Sequence, residues 1–330
     1  MKPVNPPPVE HLYTYGKFPR SGNDINGLGE TKKIRPRKIA PDDFTIEDYD
    51  YKHKWDFFFY TMPWNVFKQF TLGLFESRKA RGPVAKIRQE VDEPVVMAKK
   101  VKDKAKEVGG GIVGITYAED DLLLYENEEP YPYKYAICIG TPQNREIMEQ
   151  VPQPEAGHEV VSTYRKSSNY TNQVAAYIRS LGWQAEAFAL GRDILMMPSA
   201  IRSGLGELGK HGSLISKEYG SNFRLTMVLT DLPMAVDAPV DIGVQDVCAT
   251  CQACTKMCPP GAISDSKSMV RGVEKWYVDY DKCSWYFVKT TGCSICVEVC
   301  PWSTPDKGFK LSEMIMSKRA KNSTNSNQSK

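Results

Sequence analysis

A chain of 330 residues with a formal net charge of +3 has room for one large or two ordinary domains, each with a full core. A charge so near neutral gives no sign of a nucleic-acid partner, and none is expected. Eight of the nine cysteines crowd into one short stretch, which points to metal chemistry and away from a disulfide scaffold.

The opening residues, MKPVNPPPVEHLYTYGKFPR, hold neither the apolar core of a signal peptide nor a twin arginine, so a cytoplasmic location is expected. No apolar run approaches the roughly 18 residues of a membrane span. Residues 1–50 are rich in Pro, Lys, Arg and Asp and read as an extended strap, with Tyr13, Tyr15, Phe18 and Tyr49 as its anchors. WDFFFYTMPWNVFKQFTLGLF (55–75) is strongly aromatic but broken by Asp56, Pro63 and Lys68. It reads as two helices with a turn, packed on the body, and is where a membrane partner would meet the chain. These pieces make up an N-terminal arm over residues 1–90.

Residues 91–240 have the pattern of an α/β body. Met97, Val101, Ala105 and Val108 recur at helical spacing, and the glycines at 109–111 end that helix. GIVGITY (111–117) and KYAICIG (134–140) read as buried strands, with Cys138 as a small core residue. Tyr170, Val174, Ile178 and Leu181 form one face of a helix that stops at Gly182, and QAEAFAL follows as a strand. PSAIRSGLGELGKHGSLIS (198–216) carries closely spaced glycines, which let the backbone approach a phosphate or a large ring. Read alone, the stretch is a plain loop. FRLTMVLTDLPM (223–234) alternates as a strand, with Leu225, Met227 and Leu229 on one face and Arg224, Thr226 and Val228 on the other.

Residues 241–305 hold the eight cysteines. CATCQACTKMCPP places Cys248, Cys251, Cys254 and Cys258 at the ferredoxin spacing, in which the fourth cysteine reaches to the other cluster. Cys283 then precedes CSICVEVCPW, with Cys293, Cys296 and Cys300. Three thiolates on one tight turn grip three corners of a cube, and the fourth corner needs a ligand from elsewhere. By this crossing rule Cys248, Cys251, Cys254 and Cys300 hold one [4Fe–4S] cluster, and Cys258, Cys283, Cys293 and Cys296 hold the second. Pro259 and Pro301 stop the short helices leading into the crossing cysteines. A zinc site is the rival, but four histidines in all and three cysteines on consecutive x2 steps favour iron. The polar tail of residues 306–330, KRAKNSTNSNQSK from Lys318 onward, reads as partly disordered.

Taken together, these blocks resemble the cobamide-dependent reductive dehalogenases. The likeness runs through residues 91–116, 164–183 (YRKSSNYTNQVAAYIRSLGW), 198–234 and the paired cysteine motif that ends at Trp302, and MPWNVF (62–67) is similar to an earlier block. The resemblance implies an α+β fold, with a nitroreductase-like α/β body that binds a base-off corrinoid and a ferredoxin-like module carrying two [4Fe–4S] clusters. It also implies a small organohalide substrate. Tyr164 falls where the family's proton-donating tyrosine stands, with Arg224 as its basic partner and Tyr170 as an alternative acid. A guanidinium stays charged and stabilises a phenolate beside it. Pro198, Gly204, Leu205, Gly206, Gly209 and His211 would border the corrinoid. At Gly191 and Arg192 the chain departs from the family's usual pocket residues. No fused reductase domain is evident, so an external ferredoxin or flavodoxin is the implied electron donor. The alternatives are an epoxyqueuosine-reductase-like enzyme with the same cofactors, and a carrier of electrons without a corrinoid.

Overall fold

In the computed structural model, residues 21–35, 64–122, 131–189, 194–290 and 292–328 are described. Four strands, β1 (Ile112–Tyr117), β2 (Tyr135–Pro142), β3 (Ala185–Phe188) and β6 (Phe223–Thr230), form an antiparallel sheet in the order β1-β2-β6-β3. Both faces of its centre are covered, so β2 is apolar on both sides, with Ile137 and Ile139 against one core and Ala136 and Cys138 against the other. Cys138 is fully buried, and desolvation pushes its thiol up to about 12. It is a core residue there, as the pattern suggested. The alternation expected in β6 holds, since Phe223, Met227 and Leu229 enter one core while Val228 enters the opposite one.

Helix α3 (Pro94–Glu107) buries Met97, Ala98, Val101 and Ala105, and the chain leaves it through Gly109 at a φ of 119°. A side chain at Gly109 would collide with the Tyr170 ring. Tyr170 lies on α5 (Pro154–Ser180), a 27-residue helix that spans the sheet and starts well before the apolar stripe visible in the sequence. Its first half is rich in Ser, Thr and small residues and therefore lacks a hydrophobic signature. Helix α2 (Trp64–Ser77) runs along α5. Arg165 Nε donates to Gln69 Oε1 at 2.6 Å, and Asn172 Nδ2 donates to the Glu76 carbonyl at 2.7 Å. Those bonds hold α2 against the body, as expected, while Trp64, Leu72 and Phe75 stay exposed. The first half of the proposed helical pair, and the anchors Tyr13, Tyr15, Phe18 and Tyr49, lie outside the described residues.

The glycine stretch forms a short helix, α6 (Met197–Arg202), and a small hairpin of β4 (Glu207–Leu208) and β5 (Leu214–Ile215) where a plain loop was expected. Gly206 permits it. At a φ of 155° it passes so close to β5 that an added Cβ would sit 2.0 Å from the Ile215 carbonyl oxygen.

The cysteine module follows as α7 (Val244–Thr250), α8 (Ala253–Met257), a hairpin of β7 (Ser268–Val270) and β8 (Val273–Lys275), α9 (Tyr280–Lys289) and α10 (Ile295–Glu298). It shares cores with the body: Ile215 packs with Trp276 and Trp302, and Met148, on the short helix α4 (Arg145–Met148), and Val151 pack with Tyr286 and Ile295. The tail departs from expectation. It forms α11 (Lys307–Gln328) where disorder was read from composition. Leu311 packs on the module core, Ile315 rests on Gly243, and Arg319 pairs with both Asp241 and Asp246. A few anchors on one face suffice, and they leave no periodic signal.

Residues 21–35 do form a strap, but it lies on the cysteine module. A turn of helix, α1 (Gly22–Ile25), is capped by Ser21, whose hydroxyl also donates to Asp281. Asn23 donates to Asp279 at 2.9 Å and accepts from the Tyr277 hydroxyl and the Tyr280 amide at 2.9 and 2.8 Å. Further on, the Gly29 amide donates to the Met269 carbonyl at 2.8 Å. Replacing Asn23 by Ala removes all three side-chain bonds and should weaken strap docking by about 2 kcal/mol, a factor of roughly 30. Faster hydrogen exchange at residues 21–35, with the α5 amides unchanged, is the expected result.

Candidate functional site

The spacing of each cysteine run becomes a convergence of thiols. Cys248 lies in the last turn of α7, Cys251 is its C-cap, and Cys254 lies on α8. Cys300, brought from the far end of the module, closes the set: these four thiols line one small cavity together with Lys210, His211 and Trp302. Cys258, just past α8, joins Cys283 on α9 and the Cys293/Cys296 turn in lining a second, larger cavity. The tight turn needs unusual backbone, with Cys293 and Ser294 at φ of 32° and 59°, in the left-handed region that non-glycine residues seldom adopt. The two cavities thus separate Cys248, Cys251, Cys254 and Cys300 from Cys258, Cys283, Cys293 and Cys296.

Burial raises five of these thiols in particular, and thiol neighbours raise the same five further. Cys283 and Cys300 are pushed up to about 12, Cys254 and Cys293 to about 11, and Cys296 well above its ordinary value. Four thiolates gathered in a dry site need cationic metal to offset their repulsion and desolvation. Two buried polar groups complete the fit to an iron–sulfur cube. Trp302 Nε1 sits in the wall of the first cavity without a protein acceptor, and the Tyr286 hydroxyl sits likewise in the wall of the second. Desolvation, then Cys293 and Cys258, raises the Tyr286 phenol to about 12. It stays a hydrogen-bond donor beside sulfur. Among the described residues, no three His, Cys, Asp or Glu side chains close on a single point as ligands of one zinc ion would.

The larger cavity, of about 520 Å³, extends from the second thiol set to the body. Its far wall holds Tyr164, Arg224, Met197, Leu225 and His211. Tyr164 meets Arg224 through the register of α5 on β6. The Thr171 hydroxyl donates to Thr226 Oγ1 at 2.7 Å, locking helix to strand. Two helical turns before Thr171 stands Tyr164, and two strand residues before Thr226 stands Arg224, so both lie on the shared face. The guanidinium carbon of Arg224 lies 5.2 Å from the Tyr164 ring centroid, a cation–π distance, and its Nε is buried without a partner. Tyr170, the alternative acid, packs instead against Gly109 and lies outside this wall.

His211 stands between the two thiol sets and lines both cavities. Its Nδ1 accepts from the Ser213 amide at 3.3 Å, which leaves the proton on Nε2, 3.4 Å from Ser221 Oγ. Desolvation lowers it to about 4, so it is neutral at pH 7. Of the other residues expected near a corrinoid, Pro198 lies in the first turn of α6, Leu205 is in the core, and Gly204 and Gly206 are pressed against the Ala238 and Ile215 carbonyls. Gly209 lies beside His211. None of these five lines the large cavity, whereas His211 and Gly212 do. The Gly191–Arg192 departure lies outside the described residues. Sequence reasoning passed over Lys210 and Tyr286, because only the folded hairpin and helix bring them to the thiols.

Residues 247–304 match a family described as a 4Fe-4S dicluster domain. The trichloroethene reductive dehalogenase of Dehalococcoides mccartyi is 38% identical across 63% of this chain and 36% of that protein. Epoxyqueuosine reductase of Salmonella typhimurium is 30% identical across 49% of this chain and 45% of its own length. A solved reductive dehalogenase, described in terms of B12-dependent dehalogenation, superposes with a TM-score of 0.70 at 26% identity, covering 76% of this chain and 39% of that one. This chain thus spans less than half the length of these curated relatives and of that solved dehalogenase. Among the described residues no helix is long and apolar enough to cross a membrane.

Anaerobically prepared protein should contain about eight iron and eight sulfide per chain, four of each per cubane. Cys300→Ser should alter the same electron paramagnetic resonance (EPR) signal as Cys254→Ser, and Cys258→Ser the signal altered by Cys293→Ser. Cys254→Ser and Cys258→Ser acting on one common signal would break the crossed pairing.

Proposed function

We propose that this chain, a relative of the reductive dehalogenases, is the catalytic core of an iron–sulfur and corrinoid oxidoreductase that replaces a carbon-bound halogen by hydrogen. The observation that carries the reading is the shared cavity: one wall is a cysteine set suited to a [4Fe–4S] cluster, and the opposite wall is Tyr164 with Arg224. The space between is large and mostly apolar, as a macrocycle or an organic substrate requires. A nitroreductase-like body with a base-off corrinoid, borne by His211 and Gly212, fits that space. When bound, the corrinoid supplies low-valent cobalt able to reduce or attack the carbon–halogen bond.

Replacing halogen by hydrogen consumes two electrons and one proton and releases halide. The two cysteine sets hold two [4Fe–4S] clusters, which pass the electrons singly from an external one-electron donor of the ferredoxin or flavodoxin class. Tyr164 donates its phenolic proton to carbon, and the Arg224 cation over its ring stabilises the phenolate left behind. The apolar walls, among them Leu225, Met197 and Val160, exclude water that would otherwise compete as proton donor. The kinship to epoxyqueuosine reductase favours a second reading, in which the same electrons and proton remove an epoxide oxygen in place of halide.

Cluster- and corrinoid-loaded protein should release halide from haloalkenes or haloarenes under a low-potential reductant and leave epoxide-modified tRNA unchanged. The reverse preference would select the second reading. Tyr164→Phe should lower kcat by about 100- to 10,000-fold with cluster and corrinoid content preserved, the range for loss of a positioned acid. Full turnover by that variant would remove Tyr164 from the reaction.

A further inference from the structure

Lys210 is 2% exposed and lies in the wall of the cavity formed by Cys248, Cys251, Cys254 and Cys300. Lysine is almost never buried so fully without partners of its own. Its Nζ donates to the Cys251 carbonyl at 2.9 Å, lies 4.9 Å from the Trp276 ring centroid and is 3.5 Å from Asp265, a carboxylate 54% exposed and so screened by solvent. The hairpin β4–β5 carries the residue there, and Gln245 ties that hairpin to the module by donating to the Leu208 carbonyl at 2.9 Å. The next residue, His211, faces the larger cavity as well. Among the described residues that line the larger cavity there is no lysine, and the one arginine, Arg224, belongs to the Tyr164 wall. The two sets therefore differ in electrostatics: a buried ammonium stands beside the first, whereas Lys282, whose charge reaches Cys258 in the second, is 55% exposed and paired with Asp279.

We propose that Lys210 is a built-in tuning charge that raises the reduction potential of the cluster held by Cys248, Cys251, Cys254 and Cys300, and leaves the second cluster unaffected. A [4Fe–4S] centre gains one negative charge when it accepts an electron. A fixed positive charge in a dry wall stabilises that reduced form more than the oxidised one. The electron comes from the external one-electron donor, and no bond or proton changes hands at Lys210. The effect eases entry of electrons at the cluster whose thiols do not line the Tyr164 cavity. The inference rests on the two-cluster reading given above and extends it.

The test is an EPR-monitored redox titration of the cluster-loaded full chain, with dithionite as reductant, comparing the native protein with Lys210→Met and Lys210→Arg. Lys210→Met should lower one of the two midpoint potentials by at least 59 mV, a tenfold change in the one-electron equilibrium. Lys210→Arg, which keeps the charge, should stay near the native value. If Lys210→Met fails to retain iron, Lys210→Gln carries the test, since its amide still donates to the Cys251 carbonyl without the charge. Neutral variants with full iron and unmoved potentials, or with both potentials shifted alike, would overturn the proposal. Native protein without two cluster signals would instead overturn the two-cluster reading itself.

Discussion

Eight thiols, buried or half-buried and drawn into two groups of four, impose the constraint that the rest of the molecule answers to. Burial alone drives such thiols toward their neutral form, and crowding drives them further. A fold that nonetheless gathers them has to supply compensation in cationic metal, N–H donors and nearby charge. The module supplies each where the geometry permits. Backbone amides of residues 261–263 face Cys258, the Trp302 amide faces Cys300, and a buried ammonium stands beside the first set. Each cavity takes one of its four thiols from the other run, so neither run lines its cavity alone.

Around that constraint the body acts as a positioning frame. The long helix α5 is fixed to β6 by a hydroxyl pair, Thr171 with Thr226, in a fully buried setting. A slip of one residue in β6 would turn Arg224 away from α5 and into the opposite core. The register that holds the core thus also sets the pairing of Tyr164 with Arg224 in the wall facing the second thiol set. The hairpin tip 209–213 performs a similar double task, with Lys210 directed to one thiol set and His211 bordering both.

Much of this was legible in the sequence, and unevenly so. The thiol sets were readable because cysteine spacing within a turn is a local property and cluster geometry leaves few alternatives. The strands were readable because both faces of the sheet are buried, which makes β2 almost continuously apolar, and because β6 alternates. Tyr164 and Arg224, 60 positions apart, became candidates only through resemblance. No local pattern marks a helix–strand contact. The glycines at 204 and 206 were read as room for a ligand, yet they make room for the chain's own carbonyls. Lys210 was invisible because its burial is decided by tertiary packing, and the composition scale for lysine points outward. The tail helix and the strap on the cysteine module share this cause, since each is held by a few polar anchors such as Arg319 and Asn23.

The measurement that bears most directly on the account is corrinoid uptake by the iron-loaded, anaerobic protein, read as cobalt per chain after gel filtration and by the cobalt EPR spectrum. The account predicts one corrinoid per chain, bound in contact with the second cluster's cavity and lost when Gly212, which lines it, is replaced by Trp. Iron-replete protein that retains no corrinoid under reducing conditions would contradict it, and would leave the cavity between the thiols and Tyr164 without the occupant this reading requires.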